Sequence, residues 1–520
     1  MRKSSKVRRL LLMTLLSVTL LPVTSYSLAD NQPAGGAPGV TDVVYDAALK
    51  TGVVNVSTSA QLERAIAQAT AGTTIVLADG IYTGIKALQI SGKHGSKNSP
   101  ITIKAANRGQ AIIAGAEVLQ IVRSSHIVVE GLKITNTGTA TRSIAVQLDG
   151  SNNIRLTRNT FAVPATGNKM IWLEIKGKGS SDNRIDRNNF EGKTDSEPVI
   201  AYSGYNNGQI KEISQRDVIE YNHFHQTSST KDNGNEVIRL GISKISLTSG
   251  HIKIQYNLFE DCNADKEVVS VKTGDNEVRY NTFRNNSGGL TARHGHNNKF
   301  YGNFFFGDGK KKVLGIRVYG NDHKIYNNYF QGITSQAIFL DSGDYDGGTD
   351  GKAPNHTEDD LKKQWRVYRA TVVNNTIVNS TVGITVGSTK KYAPNGSWIA
   401  NNIVSNQTGI LYEENSITDT VFKGNIGFGS TLNNTSRGPS EIVAVNPALT
   451  ISDDLHKLSA NSPAINKAVI DSQLEQRVNV TDDMDGQLRS QTDVGADEFS
   501  NAAISRKPLT KNDVGPNAPE

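Results

Sequence analysis

The chain has 520 residues, with 37% hydrophobic, 20% charged and 6% aromatic side chains, and carries a formal net charge of +6. Five basic and no acidic residues lie in the first 29 positions, so losing that stretch leaves +1, and global charge gives no support for a nucleic-acid partner. A single cysteine, Cys262, excludes a disulfide-stapled scaffold and reads as a small buried side chain.

The predicted elements begin with an address. Arg2, Lys3, Lys6, Arg8 and Arg9 precede the apolar run Leu10–Val23, and Ser27, Leu28 and Ala29 supply a cleavage site. Residues 1–29 therefore read as an export signal to the periplasm or medium, and residues 30–50 as a linker. The run is short for a membrane span, and no later stretch is long enough for one. Thr58–Ala69 reads as an amphipathic helix, with Thr58 and Gln61 placed as a capping box. Such a helix suits the open end of a solenoid.

Beyond residue 150 one short pattern returns: a residue, then Asn, then any residue, then Phe or another large apolar side chain. Its asparagines are Asn159, Asn188, Asn222, Asn257, Asn281, Asn303, Asn328, Asn375, Asn402 and Asn425. The steps between them are 29, 34, 35, 24, 22, 25, 47, 27 and 23 residues. The shorter steps suit leucine-rich repeats or a parallel β-helix, and these copies hold few leucines. Asn hydrogen-bonding along a stack with Phe filling its interior fits the β-helix. The fold class predicted is all-β, one continuous parallel β-helix over residues 51–500 behind a capping helix, with residues 501–520 as a polar tail. The longer steps are loops. The longest contains Asp341, Asp344 and Asp346, which read as a solvated acidic rim in preference to a calcium loop.

Ahead of successive markers stand IRLG, VKTG, ARHG and IRVYG, placing Arg239, Lys272, Arg293 and Arg317 each shortly before a glycine. The last three lie 9, 10 and 11 residues ahead of Asn281, Asn303 and Asn328. At about 4.8 Å between neighbouring strands, residues of equal phase would form a ladder of cations. Like charges at that spacing repel, so the natural partner of the ladder is a polyanion. Asp265 and Glu267 share one face of a strand just upstream, with Asn233, Asn235 and Glu236 in the comparable part of the previous coil. Two carboxylates and an amide oxygen make a partial set for Ca²⁺; surface ion pairs with the ladder are the plainer alternative. Together these groups suit β-elimination on a uronic-acid polymer. There Ca²⁺ and arginines would offset the carboxylate that opposes a neighbouring carbanion, and Lys272 is the candidate base.

At these residues the chain resembles the chondroitinase-B-like lyases, polysaccharide lyase family six, whose characterised members are mostly alginate lyases. The resemblance runs through NGNEVIRLG (Asn233–Gly241), FEDCNADKEVVSVKTG (Phe259–Gly274), GGLTARHG (Gly288–Gly295) and GIRVYGNDHKIYNNYF (Gly315–Phe330), and closes on DVGADEF (Asp493–Phe499). It implies a right-handed β-helix using Ca²⁺, with Lys272 as base and Arg293 as acid. The metal ligands it implies are Asn233, Asp265 and Glu267. Arg239, His294, Arg317 and His323 are the implied substrate-binding residues. Asp265 stands where glutamate is usual, and NGNE in place of NGGE makes Asn235 a rival to Asn233. An arginine donates a proton poorly, so His294 and water stand beside Arg293 as alternative donors.

The resemblance implies a secreted alginate lyase whose partner is an anionic polysaccharide, with no nucleic acid. Three rivals stand beside it. A lyase of dermatan-type glycosaminoglycan would use the same base and metal. A pectate lyase would also be a β-helix with Ca²⁺, although its usual motifs are not evident. A non-catalytic carbohydrate-binding solenoid or adhesin would have no reason to set Lys272 between a metal site and Arg293.

Overall fold

The ten marker asparagines form a continuous ladder through the protein. In each case the backbone N–H of one asparagine donates to the side-chain carbonyl of the next, at 2.9–3.1 Å from Asn159 to Asn425. The residue just before each rung has a left-handed backbone, as at Arg158 (φ 55°) and Tyr280 (φ 58°). That conformation is unfavourable for a side chain with a Cβ, and the buried amide ladder holds it in place at every coil. A sharp corner between two sheets results. The coordinates are a computed structural model describing residues 52–84, 87–115, 118–136, 144–163, 169–229, 233–352, 355–406 and 408–520. The expected export signal and linker lie outside the described residues.

The corner repeats because each coil gives one strand to each of three long sheets. Among the described residues each sheet has 14 strands. Equivalent strands of successive coils pair in parallel, and the short strand Lys211–Glu212 is an extra one that pairs antiparallel with Ile200–Asn206. The architecture is the right-handed parallel β-helix expected. The phenylalanines of the repeat stack inside it. Phe161, Phe190, Phe224, Phe259, Phe283, Phe305 and Phe330 follow one another with ring centroids 4.5–5.0 Å apart. Such offset stacking adds to the burial of each ring. Truncating one in mid-stack, Phe259→Ala, should lower unfolding stability by about 3–5 kcal/mol, read from the urea midpoint. A loss below about 1 kcal/mol would show that the interior collapses to fill the gap.

The first coil is capped as expected. The helix Ser59–Gln68 has Thr58 as its N-cap, whose hydroxyl accepts from the Gln61 N–H, and it buries Leu62, Ala65 and Ile66. Gln61 Oε1 accepts in return from the Ser57 N–H, one residue earlier than a strict capping box places it. Among the described residues no helix is long and apolar enough to cross a membrane.

The last twenty residues are not a free polar tail. Leu509 N–H donates to Thr282 Oγ1 at 2.8 Å, and Gly515 N–H donates to the Tyr221 carbonyl at 2.8 Å. Arg187 Nε then reaches the Pro519 carbonyl at 2.9 Å, and Arg158 Nη1 that of Ala518 at 2.9 Å. The chain therefore runs back along the stack. Three of its anchors, Arg158, Arg187 and Tyr221, are the left-handed corner residues themselves. Polarity of the segment suggested solvent, but its carbonyls meet a row of outward-pointing corner side chains. Cys262 is buried as expected, and burial pushes its thiol up, away from the reactive thiolate.

Candidate active site

The second long sheet carries the predicted cations on its outward face. Its strands alternate, so Ile238 and Leu240, Val269 and Val271, and Ile316 and Val318 point into the core. Between them Arg239 pairs in register with Ser270, Ser270 with Thr291, and Thr291 with Arg317. Val271 pairs with Ala292, so Lys272 and Arg293 follow together one residue later. Their backbones stay tied to the sheet, Lys272 N–H to the Leu240 carbonyl and Arg293 N–H to that of Val271, both at 2.8 Å. The single ladder expected is therefore two staggered rows. Arg239 and Arg317 lie in one, and Lys272 and Arg293 lie side by side in the next. Counting back from the asparagines missed this because the arc between sheet and corner varies in length from coil to coil.

A glycine ends the ARHG segment for a steric reason. Gly295 has φ +79°, and a Cβ there would come within 2.3 Å of the Thr273 backbone. The chain after Arg293 thus passes hard against the coil that carries Lys272.

Beneath the cations lies an acidic floor. Glu236, Asp265 and Glu267 are 2%, 6% and 3% exposed, too buried to be solvated surface charges. Lys272 Nζ donates to Glu236 Oε1 at 3.2 Å, and Arg293 Nη1 to Glu267 Oε1 at 2.9 Å. Ser270 Oγ donates to the other Glu267 oxygen at 2.6 Å. Asp265 accepts the N–H groups of Asn235 and Glu267, each at 3.0 Å. Burial, and then the charges of Glu236 and Glu267, raise its pKa, whereas those two N–H bonds oppose the rise. Glu236 Oε2 is buried without a hydrogen-bond partner, and Arg239 Nη1 is 3.9 Å away. A set of buried carboxylates with one oxygen left over and an amide alongside fits a hard cation such as Ca²⁺. Asn233 is exposed, whereas Asn235 is buried beside Asp265, which favours Asn235 as the amide member.

Arg317 stands in a separate cluster. Its Nε donates to Asp341 Oδ2 at 3.0 Å, and Tyr319 Oη donates to the same carboxylate oxygen. Lys390 Nζ donates to Tyr319 Oη at 2.7 Å and lies 3.6 Å from Asp341. Asp341 is 1% exposed, which corrects its reading as part of a solvated rim. Asp346 is likewise engaged, by Arg366 at 3.1 Å and the Tyr368 hydroxyl at 2.8 Å. Lys390, Tyr319 and Glu236 have no assigned role in the sequence reading. Lys390 is 73 residues from Arg317, and nothing in its local motif marks it.

The two histidines depart from expectation. His323 is fully buried and belongs to a second internal ladder, in which Asn276 N–H donates to Asn298 Oδ1 and Asn298 N–H to His323 Nδ1. Its Nε2 lies 2.6 Å from the Tyr319 carbonyl, so this ring takes an asparagine's place in the stack and does not reach the outward face. His294 is 3% exposed, with Nε2 3.1 Å from Ser243 Oγ. Burial first, then Arg293 and Lys272, push it down to about 3.

Residues 56–405 match the chondroitinase B family. No curated protein matches the chain significantly. Among solved structures, the alginate lyase AlyGC is 24% identical with a TM-score of 0.69, over 83% of this chain and 58% of its own. This chain thus spans little more than half of that enzyme. A mannuronic-acid-specific family-six lyase from human gut microbiota is 23% identical with a TM-score of 0.62, over 73% of this chain and 86% of its own. The alginate lyase AlyF-OU02, solved in complex with G6, is 20% identical with a TM-score of 0.66, over 81% and 94%. At these identities the likeness shows the shared fold, while the family match spans more than half of the residues. This protein belongs to the chondroitinase B family, polysaccharide lyase family six.

Proposed function

We propose that this family member is an exported, calcium-assisted alginate lyase that cleaves by β-elimination. The observation that carries the reading is the pairing of Lys272 with Arg293, side by side above buried Glu236 and Glu267. An amine and a guanidinium so placed can meet the two reacting ends of one glycosidic unit. Export rests on the basic and apolar start of the chain. Alginate is preferred because the similar structures are described as alginate lyases.

Lys272 acts as the free amine, once its ammonium has given up a proton to solvent and Nζ has turned from Glu236 to the substrate. It takes the proton next to the uronate carboxylate, and the electron pair left behind forms the C=C bond as the glycosidic C–O bond breaks. Arg293 faces the leaving glycosidic oxygen with charge and hydrogen bonds. Water supplies the proton there, because a guanidinium holds its own too tightly and His294 is buried and neutral. Arg317 and Lys390 hold a neighbouring substrate carboxylate, with Asp341 and Tyr319 fixing their positions. Asn235, Glu236, Asp265 and Glu267 are the residues that would hold Ca²⁺, which when bound offsets the substrate carboxylate and makes the adjacent C–H more acidic.

Two outcomes test this reading directly. Exhaustive chelation should lower alginate cleavage at least about tenfold, with recovery on adding Ca²⁺ but not Na⁺. Unchanged activity in chelator would remove the metal from the account. His294 should stay uncharged from about pH 5 to 9, so it adds no inflection at the ordinary histidine pKa. Its folded value is depressed, and the neutral ring therefore persists until pH approaches about 3. A pH–rate inflection near 6.5 that disappears in His294→Gln would contradict this.

A further inference from the structure

Away from the outward face of the second sheet, Asp483, Asp485 and Asp497 converge, each offering a carboxylate oxygen within 4.8 Å of the other two. They are 0%, 1% and 5% exposed. Asp483 Oδ1 accepts the N–H groups of Asp485 and Gln487 at 2.9 and 2.7 Å, and Oδ2 accepts that of Glu498 at 3.0 Å. Asp497 Oδ2 accepts the Leu458 N–H at 2.7 Å. Asp485 Oδ2 takes Lys457 Nζ at 2.6 Å, whereas Asp485 Oδ1 is buried with no hydrogen-bond partner.

Among the described residues, Lys457 is the one cation whose side chain bonds to these three carboxylates. Arg489 bonds instead to Glu498 at 3.2 Å. Arg506 pairs with Asp482 at 2.7 Å and donates to the Asp483 backbone carbonyl. Arg489 and Arg506 act on Asp483 and Asp485 only through space, so the three buried carboxylates share one bonded ammonium and keep an oxygen with no hydrogen-bond partner where water cannot screen it. An orphaned carboxylate oxygen inside such a cluster is costly unless something meets it. An all-oxygen, carboxylate-rich donor set suits a hard divalent ion in preference to a transition metal.

We propose that Asp483, Asp485 and Asp497 form a structural Ca²⁺ site, separate from the site on the outward face. Its position gives it a task. Asp497 ties to Leu458, Asp485 to Lys457, and Met484, between Asp483 and Asp485, lies in one apolar cluster with Phe304, Phe306 and Tyr329. An ion there joins the hairpin Leu449–Leu458, the 483–487 turn and the 493–498 segment to the side of the β-helix. Lys457 competes with the ion for Asp485.

The test uses the full chain carrying Asp265→Asn and Glu267→Gln, so that binding at the outward face is disabled. Ca²⁺ against chelator should still raise its Tm by about 3 °C or more, and calorimetric titration should still show one bound ion. Adding Asp485→Asn should abolish both, with the circular dichroism of the fold retained. Adding Lys457→Met instead should tighten Ca²⁺ binding several-fold, since the competing ammonium is gone, and this variant decides the matter if Asp485→Asn does not fold. Absence of Ca²⁺ binding in the first protein, its persistence in Asp485→Asn, or weaker binding in Lys457→Met would each overturn the proposal.

Discussion

Replacing Lys272 with alanine is expected to lower kcat on alginate by about 10³-fold or more, with KM changing far less. Loss of a positioned base removes the step itself, whereas the surrounding cations still bind the polymer. Lys272→Arg should be nearly as inactive, because it restores the charge and the contact with Glu236 but offers no neutral nitrogen. That comparison separates base chemistry from electrostatics. Alanine also strands Glu236, which is 2% exposed, so some loss of stability accompanies the change and the Tm must be measured alongside. A Lys272→Ala protein that remains folded and keeps even a tenth of wild-type kcat would show that the proton goes elsewhere.

The second large effect is at Arg293. Arg293→Ala should lower kcat by about 10²-fold or more, the usual scale for removing a group that meets developing charge. Arg293→Lys should recover only part of this, because an ammonium cannot hold Glu267 and face the leaving oxygen with the same planar fork. Activity of Arg293→Lys close to wild type would defeat the role given to the guanidinium. Ser270 keeps its bond to Glu267 in either variant, so the acidic floor should stay in place.

The stack was readable from sequence because its physics is periodic. An asparagine that must bond to the one above it recurs once per coil, as does a phenylalanine that must stack on the last. From those recurrences the cations fell onto one face. Their exact rows did not, because register depends on loop lengths that periodicity leaves free, and Arg317 proved two residues out of step with Arg293. His323 misled for a related reason. Its motif resembles a binding segment, but burial decides that its ring serves the internal ladder. Lys390 escaped notice because it reaches the Arg317 cluster from 73 residues away, and Asp341 looked like a solvated rim because its burial comes from that cluster and not from its own polar, glycine-rich segment. The last twenty residues look polar in composition, and only the corner side chains of other coils reveal where they dock.

The most direct measurement follows the ultraviolet absorbance of the conjugated double bond that β-elimination leaves on its product. The full-length protein is incubated in calcium with alginate, dermatan sulfate or polygalacturonate, next to the Lys272→Ala variant. A steady rise is expected with alginate, little or none with the other two, and none from the variant. A rise with dermatan sulfate alone would keep the chemistry and change the substrate. No rise with any uronate polymer would contradict the lyase reading of this face and leave a carbohydrate-binding solenoid in its place.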